Sequence, residues 1–109
     1  MTNPYPLDRF DEHRAELESL LAARTPVLVV ASMDDARRID AYLEFSARPP
    51  RTILARIRAL LRVRQMARGH AADFYLLFRF ARRHRMIPLK QGSTGYLFEP
   101  AEGRARASS

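Results

Sequence analysis

No helix can run through Arg48-Pro49-Pro50. A proline pair removes two backbone donors, clashes with the preceding turn and pushes the residue before it out of the helical region. Helical patterns on either side must therefore belong to separate elements. The same point divides the charge. Residues 1–47 carry five Arg against nine Asp or Glu, a net of −4, whereas residues 48–109 carry fourteen basic residues against three acidic ones, a net of +11. Eighteen of the nineteen basic residues are Arg, a bias that GC-rich coding produces by itself. The loss of acids where the arginines gather has no such origin. Sign asymmetry of this kind points towards nucleic acid or a membrane surface.

A chain of 109 residues suits one domain. The pattern divides it into an acidic helix–strand–helix half (1–47) and a basic helix–helix–hairpin half (51–100), followed by a disordered polar tail (101–109). Residues 1–7 read as a loose lead-in. Asp8 is placed to cap a helix over about 8–23, with Asp11 and Glu12 in its first turn and Phe10, Leu17, Leu20 and Leu21 on one face. VLVVA (27–31) reads as one short buried strand. Ser32 or Asp34 caps a second helix over about 34–46, with Ala36, Ile39, Tyr42 and Leu43 as its stripe.

A third helix follows over about 51–67. Ile53, Leu54, Ile57, Leu60 and Leu61 share one arc at 100° per residue and are assigned to the core, while Arg51, Arg58 and Arg62 align with Gln65 on another. Gly69 suits the end of that helix. A fourth helix over about 71–85 turns Phe74, Leu77, Phe78 and Ala81 inwards and gathers Arg79, Arg82 and Arg83 elsewhere. MIPLKQGSTGYLFEP (86–100) reads as a β-hairpin around GSTG. The expected fold class is α+β: about four helices, one short buried strand and a C-terminal hairpin. A lone strand leaves open edges, which pairing with a second chain would close.

The motif inventory disfavours most enzyme classes. Cysteine is absent, so disulfides and thiolate chemistry are excluded. His13, His70 and His84 have no metal-binding spacing, and phosphate-loop and serine-nucleophile signatures are missing. No metal, cofactor or enzyme activity is expected. A metal-independent ribonuclease built from His70, His84, Arg79, Arg82, Arg83 and Tyr96 is the weakest of three readings, since any basic protein contains such a set.

The arginines carry the leading reading. Only Asp73 is acidic between residues 48 and 98, so most of these cations lack a neighbouring counter-charge, and a polyanion would supply one. Arg51, Arg58, Arg62, Gln65, Arg79, Arg82, Arg83 and Lys90 are the candidate contacts. A membrane surface is set aside, because the apolar residues of both helices are assigned to the core and there is no Trp. The start MTNPYPLDRF has no secretory pattern, and the longest apolar runs are far short of the ~20 residues of a membrane span. A cytoplasmic protein is expected.

The C-terminal half, ADFYLLFRFARRHRM followed by IPLKQGSTGYLFEP, resembles a winged helix-turn-helix domain. The resemblance covers about residues 51–100, rests mainly on KQGSTGYLF, and implies a recognition helix followed by a wing. It favours DNA over RNA and a regulatory role. The aromatic set Phe74, Tyr75, Phe78 and Phe80 departs from the pattern, and His70-Ala-Ala-Asp73 offers little to base edges. Phosphate contacts are therefore expected. The second reading is a non-enzymatic inhibitor or adaptor that docks its basic face on an acidic protein surface.

Overall fold

A computed structural model describes residues 4–47, 51–66 and 68–102. Its elements are β1 (Pro4–Pro6), a 3-10 turn (Leu7–Arg9), α1 (Phe10–Ala22), β2 (Val27–Val30), α2 (Met33–Ala47), α3 (Ile53–Met66), α4 (Ala71–Arg83), β3 (Met86–Gln91) and β4 (Gly95–Pro100). The fold class is α+β, with four helices and a mixed sheet in the order β1-β2-β4-β3. β1 runs parallel to β2, and β2–β4 and β4–β3 are antiparallel.

Two expectations about the strands are corrected. Residues 4–6 are an edge strand rather than a lead-in, and Leu7 behind them is buried. Pro4 and Pro6 disguise this strand, because proline cannot donate to a ladder and is tolerated only at an edge. β2 is not alone: β1 and β4 occupy its two edges, so edge closure gives no reason for a second chain. The hairpin forms as expected, with Gly92 at φ +67° in its turn. β4, however, lies inside the sheet, paired on both sides.

Alternation along the strands sorts their side chains. Val27, Val29, Met86, Tyr96 and Phe98 form one cluster with Phe10, Leu17 and Leu21 of α1, Ala36 and Ile39 of α2, and Phe74, Leu77, Phe78 and Ala81 of α4. α4 packs against both α1 and α2 and against β3. Its inward face is the one its 3.6-residue period indicates. Phe74 is the hub, with its ring centroid 4.9 Å from that of Tyr96 and 5.6 Å from that of Phe98.

Helix starts agree in part. The Ser32 hydroxyl accepts from the Asp35 amide at 3.2 Å, and Thr52 does the same for Ala55 at 3.1 Å, satisfying donors that a first turn leaves open. Asp8 does not cap α1. It sits within the 3-10 turn, and the residue before α1 is Arg9, without a side-chain cap. Gly69, at φ +58°, turns the chain towards α4, where an added Cβ would stand 3.3 Å from the Asp35 carboxylate. The Arg48-Pro49-Pro50 break and residues 103–109 of the expected 101–109 tail lie outside the described residues; of that tail, Ala101 donates its amide to the Arg85 carbonyl at 3.0 Å and Glu102 pairs with Arg24.

The largest correction concerns α3. Ile53, Leu54, Ile57, Leu60 and Leu61, assigned to the core, are 76, 72, 51, 67 and 57 % exposed. α3 meets the fold mainly at α2, and its one buried side chain among those described is Ala59, which lies on the opposite side of the helix from the centre of that arc. A small residue lets the two helices approach, while the space beneath the sheet is already filled by α1, α2 and α4. Fully burying one Leu or Ile contributes about 1.5–3 kcal/mol, so this arc leaves much hydrophobic free energy unused within the chain.

Candidate nucleic-acid interface

The anchored face of α4 fixes what its other side presents. With Phe74, Leu77, Phe78 and Ala81 against the core, Arg79, Arg82 and Arg83 are exposed. Basic residues here also complement the negative end of the helix dipole. The Arg79 guanidinium carbon lies 5.8 Å from the Tyr75 ring centroid, and that of Arg82 lies 5.8 Å from Phe78. Tyr42 of α2 packs edge-on against both rings, at 5.1 and 5.7 Å. Burial is the main reason the Tyr42 phenol is pushed above its ordinary pKa. These aromatic contacts orient the guanidinium groups without neutralising them. Arg79 and Arg83 also line a groove between α1 and α4, floored by Leu76 and Phe80 and bordered by Arg14 and Glu18.

A second arginine group lies on α3. Arg58 and Arg62 line a groove with Phe45 of α2 and with Thr52, Leu54, Ala55, Ala59 and Leu61, and Arg51 is exposed just ahead of the helix. The Gln65 side chain lies outside the described residues. None of Arg51, Arg58, Arg62, Arg79, Arg82 and Arg83 forms an ion pair among the described residues. Glu18, which shares the α1–α4 groove with Arg79 and Arg83, pairs with Arg14.

Lys90 does not join them. Its Nζ donates to both Asp40 carboxylate oxygens at 2.9 Å, to the Ser93 carbonyl at 2.8 Å and to the Tyr96 hydroxyl at 3.0 Å. Its charge is already answered within the fold. Nothing local in the sequence announces this, because Asp40 belongs to a different half of the chain.

The residues of the ribonuclease reading are not brought together. His70 and His84 flank opposite ends of α4, about 20 Å apart at 1.5 Å per residue. The Tyr96 hydroxyl is buried, donating to Asp40 Oδ1 at 2.5 Å with the Ala36 carbonyl at 3.1 Å. Burial first, and the Asp40 carboxylate second, raise its pKa far above the ordinary phenol value. His70 Nδ1 lies 3.1 Å from Asp73 Oδ2, and this contact raises the imidazole pKa. His84 packs against Phe80, with ring centroids 4.9 Å apart. Among the described residues no three His, Asp or Glu side chains converge as a metal site would, and no helix is long and apolar enough to cross a membrane.

Compared with known proteins, the chain matches no family model, no curated protein and no solved structure.

Proposed function

We propose that the protein binds nucleic acid, with DNA ahead of RNA, through phosphate contacts made by Arg79, Arg82 and Arg83 of α4. Arg51, Arg58 and Arg62 of α3 serve as a second set. The observation that carries this reading is the absence of any ion pair at these six guanidinium groups among the described residues, while Glu18, in the groove beside Arg79 and Arg83, pairs with Arg14. Arginines held on a surface without internal counter-charge exchange small ions for phosphates, and the release of those ions drives binding. The planar fork of arginine also suits phosphate oxygens.

The same geometry argues for positioning rather than base reading. α4 is flanked by α1 and α2, and its exposed cations stand above an aromatic shelf instead of at the tip of a free helix. Contacts of this kind set register on a duplex without selecting sequence. Consistent with a chain without cysteine, we assign this activity to the cytoplasm.

The test is fluorescence anisotropy on a labelled duplex of mixed sequence, with the corresponding RNA alongside. Replacing Arg79, Arg82 and Arg83 together by Gln should weaken duplex binding at least about tenfold at moderate salt. Undetectable binding of the unaltered protein at low salt would remove the proposal. Capture of an acidic protein that survives nuclease treatment would favour the inhibitor or adaptor reading.

A further inference from the structure

Two apolar surfaces of this chain stand outside the core formed by its described residues, and they match each other. One is the exposed arc of α3 described above. The other is the outer face of the sheet, the side away from α1, α2 and α4. Register places Leu28, Leu97 and Leu89 side by side across β2, β4 and β3, with Ile87 paired to Glu99 and Val30 to Gly95. Leu28, Val30, Ile87, Leu89 and Leu97 are only half-buried and stand outside the core cluster and the residues packed against it. An antiparallel sheet face turned to water ordinarily carries polar side chains. This one carries a row of leucines.

Size and charge select the occupant. From Ile53 to Leu61 the α3 arc is about 12 Å long, and the leucine row crosses two interstrand spacings, about 10 Å. Glu99 is the sole ionisable residue that alternation places on the outer face within the described strands. The α3 arc is bordered by Arg58 and Arg62, and no acid occurs between residues 51 and 69. Two α3 helices laid against each other would bring arginine against arginine. α3 laid on the sheet of another copy brings arginine towards Glu99 and covers both apolar surfaces at once. A helix on an open sheet face is also a standard layer arrangement.

We propose that the protein self-associates by placing α3 of one copy on the outer sheet face of a second, closed by a two-fold axis so that the contact is made twice. This contact does not depend on nucleic acid. The arginines of α4 lie on the helical layer, opposite the outer sheet face, and stay open in the dimer, whereas Arg58 and Arg62 then face Glu99 and the α3 set reaches phosphate only in the free chain.

Sedimentation equilibrium at tens of micromolar protein tests it, with three variants and a mixture. Leu60→Glu alters a solvent-exposed side chain and leaves the monomer fold intact. Leu97→Thr and Leu89→Thr place β-branched residues on the sheet, and circular dichroism melts confirm that they are folded. The unaltered chain should be dimeric and each variant alone largely monomeric. An equal mixture of Leu60→Glu and Leu97→Thr should regain a dimer, because one intact α3 then meets one intact sheet face. A monomeric unaltered chain would overturn the proposal. So would sheet variants that associate as tightly as the unaltered chain, the result expected if α3 paired with α3. Binding of a monomeric chain to anionic lipid vesicles that Leu60→Glu abolishes would overturn it as well, by showing that the arc meets a membrane.

Discussion

Asp40 of α2 and Lys90 of β3, fifty positions apart, are joined through both carboxylate oxygens at 2.9 Å, with the Tyr96 hydroxyl 2.5 Å from Oδ1. The contact ties a helix of the acidic half to the hairpin of the basic half, and it removes one cation from the surface available to a polyanion.

Lys90→Met should therefore separate stability from binding. Both partners are partly exposed, so the loss should be modest, about 1 kcal/mol in a denaturant titration. Duplex affinity should stay within about twofold of the unaltered protein, because the charge removed faces Asp40 rather than phosphate. A large loss of affinity with a small loss of stability would return Lys90 to the binding surface.

Tyr96→Phe removes a buried hydroxyl that donates to Asp40 and accepts from Lys90, and should destabilise by about 1–3 kcal/mol. It should also change the alkaline limb of stability. The folded phenol has a raised pKa, chiefly because it is buried, whereas the unfolded phenol ionises near pH 10. The stabilisation is fully present below the unfolded value and is lost as pH rises above it. Thermal melts between neutral pH and pH ~10.5 should fall more steeply for the unaltered chain than for Tyr96→Phe.

Arg85 follows α4 at φ +57°, a left-handed conformation that costs an ordinary residue roughly 1–2 kcal/mol. Its contact with Glu102 is long, at 4.0 Å, and exposed, so it returns little of that cost. Arg85→Gly should stabilise by about 0.5–1 kcal/mol, raising the melting temperature by a few degrees. A lower melting temperature would mean that the ion pair outweighs the backbone strain.

His70 reports the start of α4. Its contact with Asp73 raises the imidazole pKa above the ordinary 6.5. The stabilisation is therefore present below that value and lost as pH rises through the raised one. Proton NMR titration should place His70 above the ordinary 6.5, and Asp73→Asn should bring it back towards that value. No movement on that substitution would remove the contact from the account.

The sequence is most legible where one local pattern also has one outcome. The α4 face of Phe74, Leu77, Phe78 and Ala81 and the hairpin around Gly92 form as their spacing implies. That six arginines stand exposed without an ion pair among the described residues is legible too, because the depletion of acids around them is a property of the chain itself. Pro4-Tyr5-Pro6 is not, since whether such a segment is loop or edge strand depends on a neighbour, β2, more than twenty positions away. The α3 arc misleads for a related reason. A 3.6-residue period shows that a helix has an apolar face, but not whether its own chain covers that face. Lys90 reads as free because its partner, Asp40, is distant in sequence and adjacent only in the fold.

Whether the arginines of α4 and α3 meet nucleic-acid phosphates is read from the salt dependence of duplex binding. For the unaltered protein, log K should fall linearly with log salt. Removing Arg79, Arg82 and Arg83 together should make that slope shallower by about 0.9 for each phosphate that is no longer neutralised. A slope unchanged by the triple substitution, or no measurable binding at low salt, would show that these arginines do not bind phosphate.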